Sequence, residues 1–222
     1  MAHSYTSLRQ FQQCPRQYHE VRVLKRFPYV QSPEAVFGEE AHKALELAGT
    51  HGTPLPEKFA PYQWAVDGIM AQLSPDAQYE YDFSFSATGS PVAPNAWAQK
   101  FWSGKADVFA VSADTAIVVD WKTGKSGYPD KAQLELMAYF AFMAKPEVNT
   151  VHGVLVFLQD AKLVTHSYYR KDITAIHTKW WDVVREIKLC EDSGAWEEKP
   201  GALCPWCPVT ECSNWSPPKP KK

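Results

Sequence analysis

The spacing of hydrophobic and polar positions changes along the chain, and each change marks an element. Tyr79-Glu80-Tyr81-Asp82-Phe83-Ser84-Phe85 alternates without a fault, which predicts a half-buried strand. Apolar runs near 101–111 and 115–122, joined at Ala113-Asp114, predict two more strands, and 151–158 with 163–169 predict a hairpin around Gln159-Asp160. Helical spacing takes over elsewhere. Leu8 and Phe11 follow Thr6 and Ser7, either of which can cap a first helix, and Ser7 with Gln10 has the spacing of a capping box. Pro15 then breaks the run, so Cys14 is expected at a kink. Ser32-Pro33-Glu34 opens a second helix, which Gly49 is expected to close, and Pro61 opens a third through Trp64, Ala65, Ile69 and Leu73. Lys131 to Met143 reads as helix, and Asp172 caps a last one to about Cys190. Three helices, three strands, a helix, two strands and a helix imply an α/β fold, a mixed central sheet flanked by helices.

The predicted strands carry charged residues where packing does not ask for them. Ala116-Ile117-Val118-Val119 runs straight into Asp120-Trp121-Lys122, and Gly104-Lys105-Ala106-Asp107 precedes it on another strand. Side chains two apart on a strand share a face, so Asp120 and Lys122 project together. Carboxylates beside an ammonium group can hold a divalent cation and orient a water. Chance alone supplies a D-x-K about once in a chain of this size, and Asp160-Ala161-Lys162, Glu186-Ile187-Lys188 and Glu197-Glu198-Lys199 are of the same form. Asp160 falls in the hairpin turn, Glu186 in a helical pattern and Glu197 in a polar stretch, so Asp120 alone ends a buried-looking strand. On these residues by themselves a surface ion pair is an equal reading. Glu80 could face the site from its strand, but an exposed polar position is the first reading.

Composition narrows the class without naming a partner. The chain has 222 residues, 45% hydrophobic and 22% charged, and a net charge of −2, which suits one domain with a sizeable core and gives no global attraction to nucleic acid. Local cations matter more than net charge for phosphate binding, and Lys100, Lys105, Lys122, Lys125 and Lys131 cluster in sequence around the candidate residues. The first ten residues lack a basic-then-apolar leader, and the longest near-apolar stretch, Leu134 to Ala144, is too short to span a bilayer. A cytoplasmic protein without a membrane segment is expected. The five cysteines are lopsided: Cys14 near the start, then Cys190, Cys204, Cys207 and Cys212. That spacing points to metal rather than disulfides, with four thiolates suiting either zinc or iron–sulfur. Gly124-Lys125-Ser126 imitates the end of a P-loop, but Val119 stands where the earlier glycine is required, which excludes ATP binding on that motif.

Taken in order, Thr6-Ser7-Leu8, Cys14-Pro15-Arg16-Gln17-Tyr18, Gly38 with His42, Gly104 with Asp107, Asp120 with Lys122, Gln133, and Cys204-Pro205-Trp206-Cys207 with Cys212 form a set. In this the chain resembles RecB-like nucleases of the PD-(D/E)XK superfamily, in particular the iron–sulfur branch that includes the AddB nuclease domain and CRISPR-adaptation nucleases. The resemblance runs from residue 6 to 212. It departs at Met137, where the family pattern places a tyrosine four residues after the glutamine; Met137 is expected to pack in the core beside Leu134 and Ala138.

The resemblance implies a restriction-endonuclease-like core and a single nuclease domain over residues 1–215; the low-complexity tail, 216–222, is expected to be disordered from its composition. It implies metal-dependent hydrolysis of DNA, most simply as an exonuclease acting on single- or double-stranded ends, with recombination or replication proteins as partners. Asp107, Asp120, Lys122 and Gln133 would be catalytic. Mg²⁺ or Mn²⁺ would be held by His42, Asp107, Asp120 and the backbone carbonyl of Trp121. Cys14, Cys204, Cys207 and Cys212 would bind a 4Fe-4S cluster, with Cys190 left out. Taken alone, His42 reads more readily as a core histidine; the Gly38 spacing and the rest of the set reverse that. A DNA-binding or assembly subunit without catalysis, and a sequence-specific endonuclease, are the competing functions.

Overall fold

The computed structural model describes residues 2–127 and 129–218. The chain divides into two compact units, one formed by residues 31–178 and the other by residues 3–30 with 179–218. The end of the tail expected to be disordered, residues 219–222, lies outside the described residues. Among the described residues no helix is long and apolar enough to cross a membrane.

The first unit is an α/β structure around a five-stranded mixed sheet. Strands β1 (Gln78–Phe85), β2 (Trp102–Ser112), β3 (Thr115–Lys122), β4 (Thr150–Phe157) and β5 (Lys162–Tyr169) lie side by side in chain order. All neighbours are antiparallel except β3 and β4, which run parallel with Asp120 opposite Leu155. A parallel pair needs a crossover, and the helix over Lys131–Ala144 (called α5 below) supplies it, with Asp130 accepting the Ala132 amide at its start. Two glycines let that helix lie close. A Cβ on Gly104 would fall 2.7 Å from Phe140 and 3.1 Å from the Met137 sulfur, and one on Gly153 would fall 3.0 Å from Leu134. Met137 is therefore packing, as the sequence predicts, and is buried with Leu134 and Ala138.

The helix over Pro33–His51, α3 in the order α1 (Tyr5–Gln13), α2 (Pro15–Tyr18), α3, α4 (Gln63–Gly68), α5 and α6 (Ile173–Ser193), contributes Ala41, Ala44 and Leu45 to a core with Val108, Val119, Trp121 and Val156. Ser32 caps it by accepting the Ala35 amide, with Pro33 at its first position. It does not end at Gly49. Gly52 is the residue that adopts the left-handed φ of 63° that closes it, and Gly49 lies inside, where a Cβ would fall 2.1 Å from the Tyr79 ring. The third predicted helix is broken: Pro61 sits in a tight turn over Glu57–Tyr62, α4 stops at Gly68, and a second short turn covers Met70–Gln72.

In the second unit Ser4, not Thr6 or Ser7, caps α1. Its hydroxyl accepts the Ser7 amide and the Ser7 hydroxyl accepts the Ser4 amide, so the reciprocal box sits one turn earlier than the sequence suggests. Cys14 adopts an extended conformation between α1 and α2, the expected kink before Pro15. Helix α6 runs past Cys190 to Ser193.

β1 breaks its own alternation. Tyr79 packs with the α3 core, whereas Tyr81, two residues on, lies against Phe83 and Phe109 on the ring cluster that reaches Phe140 of α5. Two residues apart should share a face. The reset occurs at Glu80, which adopts a φ of 53°, and the register continues through Tyr79↔Val108 and Tyr81↔Ala106 on either side of it. A left-handed glutamate costs about 1–3 kcal/mol and persists only where surrounding contacts hold it.

Candidate metal and catalytic site

The candidate residues of the first unit fall into two joined groups. On β3, Val119 and Trp121 face the α3 core, so Asp120 and Lys122 project from the opposite, α5 side. There Gln133, near the start of α5, donates from Nε2 to Asp120 Oδ1 at 2.5 Å and accepts from Lys122 Nζ at 2.9 Å. Lys122 Nζ also lies 2.6 Å from Asp120 Oδ2, an ion pair outside hydrogen-bonding geometry. Asp120, Lys122 and Gln133 thus close a ring of three side chains.

On the α3 side, His42 Nδ1 lies 3.0 Å from Asp107 Oδ1. Asp107 Oδ2 accepts the Trp121 amide at 2.6 Å, so a carboxylate replaces the next backbone rung just past the Val108↔Val119 pair. That bond joins the two groups: the strand that presents Asp120 and Lys122 is also the strand that anchors Asp107. Gly38, one turn before His42, allows the approach of α3 to the end of β3, since a Cβ there would fall 3.2 Å from Thr123 Oγ1.

Glu80 completes the α3-side group. Its carboxylate, His42 and Asp107 each offer a ligand atom, and these atoms lie within 4.8 Å of one another. The expectation of an exposed polar residue is corrected: the left-handed turn of β1 directs Glu80 inward. Strand position alone offered this as the lesser of two readings, and it could not choose between them because glutamate has no preference for positive φ. Besides Lys122, two of the basic residues around the candidates are already paired. Lys105 pairs with Glu80 at 2.9 Å, and Lys100 is buried 3.7 Å from Asp82 and 4.4 Å from the centre of the exposed Trp97 ring.

The electrostatics show carboxylates crowded together, with a proton on His42 as the competitor of any cation. Burial pushes the Asp120 carboxyl up; Lys122 opposes this and Asp107 adds to it, and the net position is above the ordinary carboxylate range. Burial works against an imidazolium at His42, but the hydrogen bond and charge of Asp107, helped by Asp120 and Glu80, outweigh it and hold His42 above its ordinary value. Crowded carboxylates with one imidazole form an oxygen-rich donor set that suits Mg²⁺ or Mn²⁺. The residues present therefore fit a divalent cation.

The second unit brings together Cys14, Cys204, Cys207 and Cys212, which line one cavity of about 300 Å³. Arg16 pairs with Glu198, the Arg16 amide donates to the Glu197 carbonyl at 3.1 Å, and Trp196 stacks on His19 with ring centres 4.6 Å apart. These contacts tie α1 and α2 to the segment before Cys204. The amides of Lys199 and Gly201 donate to the sulfurs of Cys14 and Cys204 at 3.5 and 3.3 Å. Burial pushes the Cys207 thiol up, a hydrogen bond from Val209 opposes it, and the Cys14, Cys204 and Cys212 sulfurs add to the rise. Free thiols gathered in this way fit a metal centre that would stabilise their thiolates.

Comparison with known proteins bears on the fold and the family. The chain is similar to a solved structure described as "Crystal structure of SSO0001", with 16% identity, a TM-score of 0.51, and coverage of 96% of this chain and 86% of that one. At that identity the likeness speaks for the fold alone. No curated protein matches. The family model of the PD-(D/E)XK nuclease superfamily matches residues 2–212, through both units and both groups of candidate residues, and the chain belongs to that superfamily of metal-dependent nucleases.

Proposed function

We propose that the protein is a Mg²⁺- or Mn²⁺-dependent deoxyribonuclease that removes nucleotides from DNA ends, working in the cytoplasm in recombination, replication or repair, and that it falls in the iron–sulfur branch resembling AddB. The observation that carries the reading is the Trp121 amide bond to Asp107, which couples the His42–Asp107 pair to the Lys122–Asp120–Gln133 ring. His42, Asp107, Asp120 and the Trp121 carbonyl would hold the cation. Such a cation lowers the pKa of a bound water and neutralises phosphate charge. Lys122 would orient the attacking water and offset charge on the phosphate as it develops. Gln133 holds the Lys122 ammonium and the Asp120 carboxylate in fixed relation, so neither needs to reorganise when substrate arrives. The buried Asp107 carboxylate, pinned by a backbone amide, keeps its direction without a cation.

The cysteine group supports a 4Fe-4S cluster on Cys14, Cys204, Cys207 and Cys212. Four thiolates suit zinc or iron–sulfur alike; the resemblance favours the cluster, and the backbone N–H donors to Cys14 and Cys204 are of the kind that tune cluster sulfurs.

The test is a time course on 5′- and 3′-labelled single- and double-stranded oligonucleotides with Mg²⁺, Mn²⁺ or chelator. Progressive shortening from one end, lost with chelator and in Asp120→Ala, is expected. Discrete fragments from plasmid DNA would replace the exonuclease reading with an endonuclease. DNA binding without cleavage in either metal would make the protein a non-catalytic subunit.

A further inference from the structure

We infer that Glu80 is a reserve ligand for the divalent cation and that Lys105 is its built-in competitor: without cation Lys105 holds the Glu80 carboxylate, and a cation arriving beside His42 and Asp107 takes Lys105's place. The inference rests on the metal-dependent reading above and adds two residues that the D-x-K pattern does not include.

Four observations converge on it. Glu80 is a non-glycine residue at a φ of 53° inside a strand, a conformation that needs a cause. The cause is not the register, which is unbroken on both sides of it. What the turn achieves is direction: the Glu80 carboxylate shares a 4.8 Å group with His42 and Asp107, while Tyr79 and Tyr81 find their own cores. Second, the cavity beside that group, about 480 Å³, is lined by the carboxylates of Glu34, Glu39 and Glu46 as well as Glu80 and Asp107, against the ammonium groups of Lys43 and Lys105 alone among its described residues. A phosphate meets net repulsion there until a cation enters. Third, Lys43 is already paired with Glu46 at 2.7 Å, leaving Lys105 as the neighbour that holds Glu80. Fourth, that ion pair is half exposed at its lysine end, so it exchanges at little cost. A divalent ion carries twice the charge of an ammonium group and can be held by His42 and Asp107 together with Glu80, so it displaces a single lysine.

The exchange is read by cation binding without DNA. Manganese binding to the full chain is measured by titration calorimetry and by the loss of the free Mn²⁺ spin-resonance signal, for the parent, Glu80→Gln, Lys105→Met and the double variant, with circular dichroism as a fold check. Glu80→Gln is expected to weaken Mn²⁺ binding about tenfold or more, and Lys105→Met to tighten it severalfold. In the Glu80→Gln background Lys105→Met is expected to have little effect, because its influence passes through Glu80. Parent-like affinity in Glu80→Gln, or the same tightening by Lys105→Met with and without Glu80, overturns the inference. A parent that binds no Mn²⁺ at all instead overturns the metal-dependent reading on which it rests.

Discussion

At the scale of single residues, the ring of Lys122, Asp120 and Gln133 is where loss of one atom should tell most. Lys122→Ala removes the ammonium group to which the proposed mechanism gives the attacking water and the developing phosphate charge, and its cleavage rate is expected to fall about a hundredfold or more. A rate within a few-fold of the parent on labelled DNA would remove Lys122 from the mechanism. His42 makes a second prediction, in pH. Its folded pKa lies above the ordinary value because Asp107 outweighs burial. The pair therefore stabilises the cation-free fold fully below an ordinary histidine's pKa, and loses that contribution as pH rises through the raised value. Cation binding follows the opposite course, since the proton on His42 must leave first. Manganese affinity is expected to climb as pH rises through that same range, with proton release visible as a dependence of the calorimetric heat on buffer. A pH-independent affinity would mean that His42 does not meet the cation. Of these residues the D-x-K and Asp107 were legible from strand pattern. Glu80 was legible only as the lesser of two readings, because its direction depends on a backbone angle that its own side chain does not favour.

At the scale of elements, glycines mark where helices meet the sheet. Gly104 sits on β2 under Phe140 and Met137, both buried in α5. Gly104→Ala is expected to destabilise by about 1–3 kcal/mol through overpacking, because neither neighbour can withdraw into solvent. Urea unfolding would show the loss, and an unchanged midpoint would mean that α5 can shift freely. The same element explains the departure at residue 137: the position faces Gly104 and the core, where a methionine fills an irregular gap. The wrong helix end predicted at Gly49 has a related cause. A glycine after an apolar stripe reads as a C-cap, but here its missing Cβ makes room for Tyr79, and Gly52 performs the capping.

At the scale of the whole molecule, the cysteine centre joins the two ends of the sequence. Bridging Cys14 to Cys212 restricts an unfolded loop that spans nearly the full chain; for a disulfide of such span the effect is about 5 kcal/mol, and metal binding adds its own free energy. Cys204→Ser is therefore expected to lower the melting temperature and solubility and to bleach the protein, while Mn²⁺ binding near His42 persists in whatever fraction remains folded. Anaerobically purified parent should be brown and contain iron. Colourless parent with stoichiometric zinc would reassign this centre and leave the proposed nuclease site untouched.

Local pattern was enough for the order of the five strands and the long helices, for the Ser32-Pro33 helix start, for the kink at Cys14 and for the strand that ends in Asp120 and Lys122. Each of these is encoded by neighbours within a few positions, through period, capping chemistry or the geometry of proline. Contacts between distant segments decided the remainder. They turned Glu80 toward His42, gave Asp107 the Trp121 amide, locked Gln133 onto both Asp120 and Lys122, and filled the space beside Gly49 with Tyr79, leaving Gly52 to cap α3. A side chain's partner, and a backbone angle that runs against its residue's preference, exist only once the sheet, α3 and α5 have come together.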